Sequence, residues 1–414
     1  MRLLVVTVHA PYGPSEAFAA AELKELRALG HHVLLAPVRP VGQAIHRGFD
    51  AAADTVLVAS LISPRVLAMA ILEGFRSPRT MARLVPVLAR SRSIRILAKN
   101  LAVIPKALWL AREARARDVD HIHAYWATTP ATVALIASAV AGAPFSFTAH
   151  AADIDEDNLI RVKSTRASLL RVISRDGRRR ILEAGVAPSV VRLVRLGVDV
   201  PDRPAPRAAE CAPFVVLVPA AFHPMKGHVH LLDAMRLLAN GSPRVGVRLE
   251  LAGSGPLEAD LRQRTKELGL ADVVTFLGQL PHESLLARYR DGSVDAVALA
   301  SATTGTRLAE GVPVSLIEAM SYGIPVVAAD SGGVHELVDD ATGMLVPMRD
   351  PVALAAALRR LALDPQLGDR LGAAGRARVM EEYDVRRTGA ELADAMRPTS
   401  GGTTPGGSGR TRPS

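Results

Sequence analysis

Apolar runs alternate with amphipathic runs along almost the whole chain. Segments with helical periodicity, such as residues 15–30, lie between short apolar segments that predict buried strands. In the first half of the chain these apolar segments are residues 2–8, 32–37, 120–125, 145–149 and 170–174; in the second half they are residues 214–219, 247–253, 273–278, 294–300, 325–329 and 343–347. This alternation is typical of parallel sheets covered by helices, so we predict an α/β chain with two doubly wound domains.

A change in composition separates the two halves. Residues 200–213, VPDRPAPRAAECAP, are rich in Pro and Ala and have no periodicity, which predicts a linker. We predict an N-terminal domain over 1–199, a C-terminal domain over 214–380, a helix over 381–397 and a disordered tail over 398–414. Because ligands of such sheets bind at the carboxyl ends of the strands, the cleft between two facing domains is the expected site.

Charge and composition narrow the expected partners. The 414 residues carry a net charge of +9, which indicates either attraction to anionic substrates and membranes or a generally basic proteome. The segment 50–118 is helical and arginine-rich, typical of a membrane-surface element or of a solvated helix face. Scattered arginines and 4% aromatic residues disfavour a nucleic-acid partner. The single cysteine, Cys211, excludes an internal disulfide and fits a cytoplasmic location.

Two apolar segments could be taken for membrane or targeting elements. Residues 1–13 read as a first strand, because a signal sequence needs a longer apolar core and a cleavage site. Residues 126–149 carry no charge, but Pro130 and the AGAP sequence at 141–144 interrupt them. We therefore predict a buried helix, a turn and a strand there, and no transmembrane segment.

Several well-known catalytic and cofactor motifs are missing. The first loop, HAPYGPSEAF, lacks the glycine fingerprint of dinucleotide-binding enzymes, and the sequence AGSGPLEAD at 252–260 has Glu258 where the third glycine should stand. No Walker loop, His-Glu-x-x-His or nucleophile-elbow sequence occurs. The acidic sequence DIDED at 153–157 contains an Asp-x-Asp, yet it lies in the first domain, away from the candidate phosphate site. We therefore expect no metal.

Three stretches carry candidate chemistry. Lys226 and Gly227 follow the first predicted strand of the second domain, where an ammonium group could neutralise a diphosphate. His150 ends a predicted strand of the first domain at the edge that faces the cleft. In EGVPVSLIEAM, Glu310 precedes a helix that Pro313 opens, and Glu318 lies inside it. A helix N-terminus between two carboxylates suits a ligand that has phosphates beside sugar hydroxyls.

These stretches occur together with others that carry a family resemblance. The chain resembles the retaining glycosyltransferases of family 4, which have the GT-B fold, and among them the colanic-acid type of exopolysaccharide biosynthesis. The resemblance covers nearly the whole length, and its most specific part is the E-x7-E element of residues 310–318. The other matching stretches are PSEAF, LRALGHHV, DHIHAYWATTPA, FTAHAADI, LGVDV, MKGH, LAGSGPL, VTFLGQLP, SYGIPVVAADSGGVHELV and GMLV.

The resemblance implies a role for each candidate residue. Glu310 would contact hydroxyls of the transferred sugar, Glu318 the ribose of the nucleotide, Lys226 the diphosphate, and His150 the reacting sugar. Gly311, Val312, Pro313 and Val314 would line the sugar and phosphate pocket, and Gly227 and Gly253 would belong to the donor site. It also implies a GT-B fold whose C-terminal helix returns to the first domain. His150 and Glu310 are thus the expected catalytic residues.

Two positions depart from the family pattern. The arginine that usually stands five residues before the lysine is Ala221 here, so one diphosphate cation is missing. His223, His228 or Arg307 are candidate substitutes. The first loop carries Ser15 and Glu16 where many relatives have paired glycines, which indicates an acceptor-side variant.

The function implied is transfer of a sugar from a UDP- or GDP-linked donor, with retention, to a glycan or lipid-linked acceptor in exopolysaccharide or cell-envelope synthesis. No cofactor is expected, and an anionic membrane surface at the cytoplasmic side is a further expected partner. Three alternatives remain: a weakened GT-B protein that binds nucleotides without transfer, an NAD-dependent enzyme, and a basic nucleic-acid-binding protein. Binding of UDP, GDP and NAD at low and raised salt would separate them.

Overall fold

The computed structural model describes residues 1–12, 16–41, 47–206, 213–241, 245–303 and 310–397. Ser15, Arg307, residues 207–212 of the predicted linker with Cys211, and the predicted tail at 398–414 lie outside the described residues.

The described residues of the first half form a seven-stranded parallel sheet in the order β3-β2-β1-β4-β5-β6-β7. Its strands are β1 (Arg2–Thr7), β2 (His32–Pro37), β3 (Thr55–Val56), β4 (His121–Ala124), β5 (Phe145–Ala149), β6 (Leu169–Val172) and β7 (Val191–Leu193). The helices are α1 (Ala19–Ala28), α2 (Pro64–Arg76), α3 (Pro78–Leu88), α4 (Ile94–Ala102), α5 (Ile104–Ala116), α6 (Thr129–Ala141), α7 (Ala151–Glu156), α8 (Ile160–Ser164) and α9 (Arg175–Glu183).

The second half forms a six-stranded parallel sheet in the order β10-β9-β8-β11-β12-β13. Its strands are β8 (Phe214–Pro219), β9 (Val247–Ala252), β10 (Val274–Gly278), β11 (Ala296–Leu299), β12 (Val326–Ala329) and β13 (Met344–Val346). The helices are α10 (His228–Asn240), α11 (Glu258–Glu267), α12 (His282–Arg290), α13 (Val314–Ser321), α14 (Pro351–Leu363), α15 (Pro365–Glu382) and α16 (Val385–Ala395).

The fold prediction of two doubly wound α/β domains is confirmed. Each apolar segment identified in the sequence overlaps a strand, because strands buried on both faces read as continuous apolar runs. The uncharged stretch 126–149 is the buried helix α6, a turn at Gly142 with φ of +85°, and the buried strand β5. Strands β3 and β7 were not predicted, since two and three residues are too few to show a period.

The chain ends by returning to the first domain. The predicted single helix over 381–397 is divided, because α15 ends at Glu382 and α16 begins at Val385, with the Asp384 side chain accepting from the Arg386 amide. On α16, Leu392 and Ala393 are buried in one apolar cluster with residues of α1 and β1. The last helix therefore packs against the first domain.

Helix α2 is fixed to the first domain by a buried carboxylate. Glu73 is fully buried and pairs with Arg76, Arg112 and Arg115, the last two on α5. A charge removed from water is tolerated only when it is paired in this way. On α2, Leu67, Ile71 and Phe75 remain exposed.

A carboxylate of the second domain also holds the two domains together. Glu336 accepts hydrogen bonds from the backbone amides of Arg175 and Asp176 at the start of α9, at 2.8 and 2.9 Å. It also pairs with Arg195, at 3.3 Å. A carboxylate at a helix N-terminus satisfies amides that the helix leaves unpaired, so this contact favours one arrangement of the cleft.

Candidate functional site

The second-domain side of the cleft, where we predicted a donor site, is built from close backbone contacts at glycine. A Cβ on Gly227 would lie 1.9 Å from the carbonyl oxygen of Ala300, and φ at this glycine is +64°. A Cβ on Gly253 would lie 2.1 Å from the carbonyl oxygen of Ala220. Only glycine allows such approaches, so the loops after β8, β9 and β11 meet at the carboxyl edge of the sheet.

Lys226 and Glu310 meet at this edge. The ammonium nitrogen of Lys226 lies 2.6 Å from Oε2 of Glu310, which also accepts a hydrogen bond of 2.9 Å from the hydroxyl of Ser301. Both charged side chains are mostly shielded from water, at 21% and 11% exposed. The structure thus brings together the predicted diphosphate cation and the predicted sugar carboxylate, and they neutralise each other.

Helix α13 stands between the two glutamates. It begins at Val314, so Pro313 occupies the N-cap position rather than the first turn that we predicted. The amides of Val314 and Ser315 belong to the first turn, where a helix supplies no acceptor. Gly311 and Val312 lead into this turn, and the carbonyl of Glu310 accepts from the Gly333 amide at 3.1 Å. This turn keeps the geometry of an anion site.

Glu318 has a partner that sequence reasoning missed. Its Oε1 lies 2.7 Å from Nε2 of His282, the first residue of α12. Burial opposes the charged form of His282, but its hydrogen bond to Glu318 and the charge of Glu318 outweigh burial and raise the pKa of His282. No sequence signal joins residues on different helices, so only the fold could reveal this pair.

His282 lines a cavity between the domains. The cavity has a volume of about 320 Å³ and is bordered by Ala17 of the first domain and by Ala221, Gly253 and Gln279 of the second. Among the described residues around it, only His282 can carry a positive charge. The missing arginine at Ala221 therefore leaves this part of the site without a permanent side-chain cation.

His228 does not replace the missing arginine. It is buried, and burial lowers its pKa to about 4, helped by the charge of Lys226, so its ring is neutral near pH 7. His223 is exposed in the loop before Lys226, and Arg307 lies outside the described residues.

His150 lies across the cleft at the end of β5. Its Nε2 donates to the carbonyl oxygen of Tyr125 at 3.0 Å, and its ring stacks on Trp126 with centroids 4.2 Å apart. Burial lowers the pKa of His150 to about 3, so the ring is neutral and Nδ1 is its acceptor nitrogen. Ala151, the next residue, lies beside Gly311, where a Cβ would be 3.7 Å from that of Ala151.

Glu16 is buried and acts within the first domain. Its carboxylate accepts hydrogen bonds from the amides of Val8, His9 and Ala10 at 2.6–3.0 Å, and from the indole of Trp126 at 2.6 Å. By accepting this hydrogen bond, Glu16 positions the indole ring of Trp126, which stacks on His150. Its predicted acceptor-side role stays a prediction, as does that of Ser15, which lies outside the described residues.

The acidic sequence 153–157 has structural partners. Asp153 accepts from the amides of His150 and Ala127, at 3.0 and 3.2 Å, and burial raises its pKa to about 7. His150 is the N-cap residue of α7, and Asp153 is the third residue of the helix. This spacing is the sequence signal that could have revealed the capping contact between them. Asp155 pairs with Arg180. Within the described ranges, no group of three or more His, Cys, Asp or Glu residues is arranged to hold a metal.

The sequence of the second half matches a family. Residues 203–378 match the model described as "Glycosyl transferases group 1". The matched residues contain Lys226, Gly253, Glu310 and Glu318, four of the residues that we predicted to contact a donor.

The similarity to individual proteins covers more residues than the match to the family model. The putative colanic acid biosynthesis glycosyltransferase WcaL of Escherichia coli is 35% identical over 226 residues, which are 54% of this chain and 54% of the relative. A GDP-mannose-dependent alpha-(1-6)-phosphatidylinositol monomannoside mannosyltransferase of Mycolicibacterium smegmatis is 33% identical over 184 residues, 44% of this chain and 47% of the relative. The chain thus spans about half the length of these curated relatives. They support the resemblance to a glycosyltransferase of exopolysaccharide synthesis.

Solved structures share the fold of the whole chain. The crystal structure of HepE from Anabaena in complex with UDP and glucose has a TM-score of 0.71 and 20% identity, covering 95% of this chain and 98% of that one. Sucrose-phosphate synthase from Thermosynechococcus elongatus has a TM-score of 0.68 and 18% identity, covering 95% and 98%. This chain therefore has the GT-B fold.

Proposed function

We propose that the protein transfers a sugar from a nucleotide-sugar donor to a glycan or lipid-linked acceptor, in exopolysaccharide or cell-envelope glycan synthesis. One observation carries the proposal: Lys226, Glu310 and the first turn of α13 meet at the carboxyl edge of the second sheet. A diphosphate there would face a cation and free amides, and the carboxylate would face sugar hydroxyls. That HepE was solved with UDP and glucose supports a nucleotide sugar as donor.

The proposed reaction is a front-side displacement with retention that needs no metal. Lys226 and the first turn of α13 would stabilise the charge that develops on the leaving diphosphate. The diphosphate can itself accept the proton of the acceptor hydroxyl, so no separate general base is required. His150, neutral and held by the Tyr125 carbonyl and the Asp153 amide, would lie against the reacting sugar.

The first domain would work at the inner face of an anionic membrane. Along α2, Leu67, Ile71 and Phe75 recur every four residues on one side, and Ile71 and Phe75 are 63% and 82% exposed. Ile94, at the start of α4, is 86% exposed. We call these four residues, with the arginines between them at 76, 79, 83, 90 and 92, the apolar-basic face. No described helix is both long and apolar enough to cross a membrane.

Donor binding is the first test. The protein would be screened by thermal shift against UDP- and GDP-linked sugars, since a ligand at a hundred times its Kd stabilises the fold by about 2.7 kcal/mol. Transfer with the selected donor, followed by NMR assignment of the new anomeric centre, would test retention. If none of the nucleotide sugars raises the melting temperature, or if the product is inverted, the corresponding part of the proposal fails.

A second candidate is favoured by Ala221. With one diphosphate cation absent, the protein could bind a nucleotide without transferring a sugar. Nucleoside diphosphate binding without sugar transfer or donor hydrolysis would favour this candidate.

A further inference from the structure

A second and larger cavity lies between the domains. It is an open cleft with a volume of about 840 Å³, and it is bordered by α7, α8 and α9 of the first domain, by Arg92 before α4, and by Gly332 of the second domain. Cavities of this size hold small-molecule ligands. None of the predicted donor residues borders it.

The cavity lies next to the loop that holds Glu310 and Gly311. Ala151 at the start of α7 lies beside Gly311, and the amide next to Gly332, that of Gly333, donates to the carbonyl of Glu310. Asp155 lies four residues further along α7, about 6 Å at 1.5 Å per residue. A ligand in the cavity could thus extend a hydroxyl group toward the reacting sugar.

Most of the carboxylates around the cavity are already paired. Asp155 pairs with Arg180, and Asp176 and Glu183 both pair with Arg179. One oxygen of Asp155 remains buried without a hydrogen-bond partner, in a side chain that is only 6% exposed. An unpaired buried carboxylate oxygen is costly, and a sugar hydroxyl would satisfy it.

Two arginines at the cavity are free. In the part of the chain that the structure describes, neither Arg92 nor Arg161 forms an ion pair, and both are exposed. Asp157 is the one carboxylate of the lining that likewise has no ion pair among the described residues. Two guanidinium groups bind phosphate through paired hydrogen bonds better than any other side chains. Arg92 also belongs to the apolar-basic face, so the cavity borders that face.

We propose that this cavity is the acceptor site and that it takes a lipid-linked glycan whose lipid is joined through phosphate. The sugar lies against Asp155, the phosphate lies between Arg92 and Arg161, and the lipid leaves past Ile94. The proposal rests on the proposed sugar transfer for its biological meaning. The binding site itself is a separate claim, and it can be tested without turnover.

The test measures binding of phosphate-bearing lipids by calorimetry to the full chain. The donor site is first saturated with UDP or GDP, so that Lys226 is occupied. The probes are farnesyl diphosphate and dihexanoyl phosphatidylinositol, which represent the two kinds of phosphate lipid, with farnesol and inorganic diphosphate as the partial ligands. At least one phosphate lipid should bind, and more tightly than either partial ligand.

Arg161→Gln and Arg92→Gln should each weaken phosphate-lipid binding about tenfold, or about 1.4 kcal/mol. Arg166→Gln is the matched control, because Arg166 is exposed on the same domain and does not border the cavity. Unchanged melting temperatures would show that the variants fold.

Failure of both phosphate lipids to bind would overturn the proposal, and so would equal affinity in Arg161→Gln and the control. Binding of inorganic diphosphate as tight as that of the lipids would overturn the lipid part of the site. Failure of UDP and GDP to bind the wild type would instead overturn the proposed function and leave the arginine comparison intact.

Discussion

Glu310→Gln should tighten nucleoside diphosphate binding and yet lower the rate of the proposed sugar transfer. Without ligand, Glu310 holds the ammonium group of Lys226 at 2.6 Å, so an arriving diphosphate has to take Lys226 from this carboxylate. Exposed ion pairs are worth about 0.2–1 kcal/mol. This pair is partly shielded, which places it near the upper end, and about 1 kcal/mol corresponds to roughly a fivefold gain in affinity.

Glu318→Gln should act in the opposite direction on the same ligand. Glu318 is held by His282 beside the cavity between the domains, where its charge would accept hydrogen bonds from ribose hydroxyls. A hydrogen bond to a charged group contributes about 1.5–3 kcal/mol. We therefore expect at least a tenfold loss of affinity for both the nucleoside diphosphate and the nucleotide sugar.

Calorimetry with nucleoside diphosphate, followed by turnover with the whole donor, separates the two glutamates. Glu310→Gln should lower kcat/KM at least tenfold through the loss of about 1.4 kcal/mol of contact in the transition state, while its diphosphate affinity rises. Glu267→Gln, on the exposed side of α11, is the control. Equal losses of diphosphate affinity in the Glu310 and Glu318 variants would refute the assigned roles.

Three further predictions concern pH, metals and membranes. Because the folded-state pKa of His282 is raised above its ordinary 6.5 by Glu318, the stabilisation from this pair is complete below that value and is lost as pH rises through the folded pKa. The melting-temperature difference between the wild type and His282→Gln should therefore be larger at about pH 5.5 than at about pH 9. Activity should survive EDTA, and its recovery only on adding magnesium or manganese at constant pH would contradict this. The double substitution Ile71→Ser and Phe75→Ser should reduce binding to anionic vesicles. The control Val352→Ser, at a 67% exposed residue on α14, should not reduce it. Equal binding of the wild type to neutral and anionic vesicles at low salt would refute the membrane face.

The fold could be predicted from sequence because its signals are local and repeated. Strands buried on both faces are read as apolar runs, and the Pro-Ala segment after Val200 interrupts them. What could not be predicted was short or non-local. Strand β3 has two residues, and the break between α15 and α16 depends on Asp384 capping the following helix.

The candidate site, like the fold, could be predicted only where its signals are local in the sequence. The sequence placed Lys226 and Gly227 after a strand and Glu310 before a helix, since these are relations along the chain. The contacts of Glu318 with His282 and of Glu16 with Trp126 join distant segments, separated by 36 and 110 residues, so no pattern in the chain could reveal them. Glu16 shows this clearly, because the sequence did not reveal that its carboxylate accepts hydrogen bonds from three amides and an indole.

The missing arginine at Ala221 gives the last prediction. Ala221 is exposed at the cavity between the domains, and among the described lining residues only His282 could offset a diphosphate charge there. Ala221→Arg should add a charge-assisted contact of about 1.5–3 kcal/mol and so tighten nucleoside diphosphate binding at least tenfold. Ala221→Gln, similar in reach but uncharged, should give much less, and raised salt should reduce the difference between the two variants. If Ala221→Arg brings no gain over Ala221→Gln, the diphosphate is already neutralised by another group, and the absence of the arginine does not weaken this site.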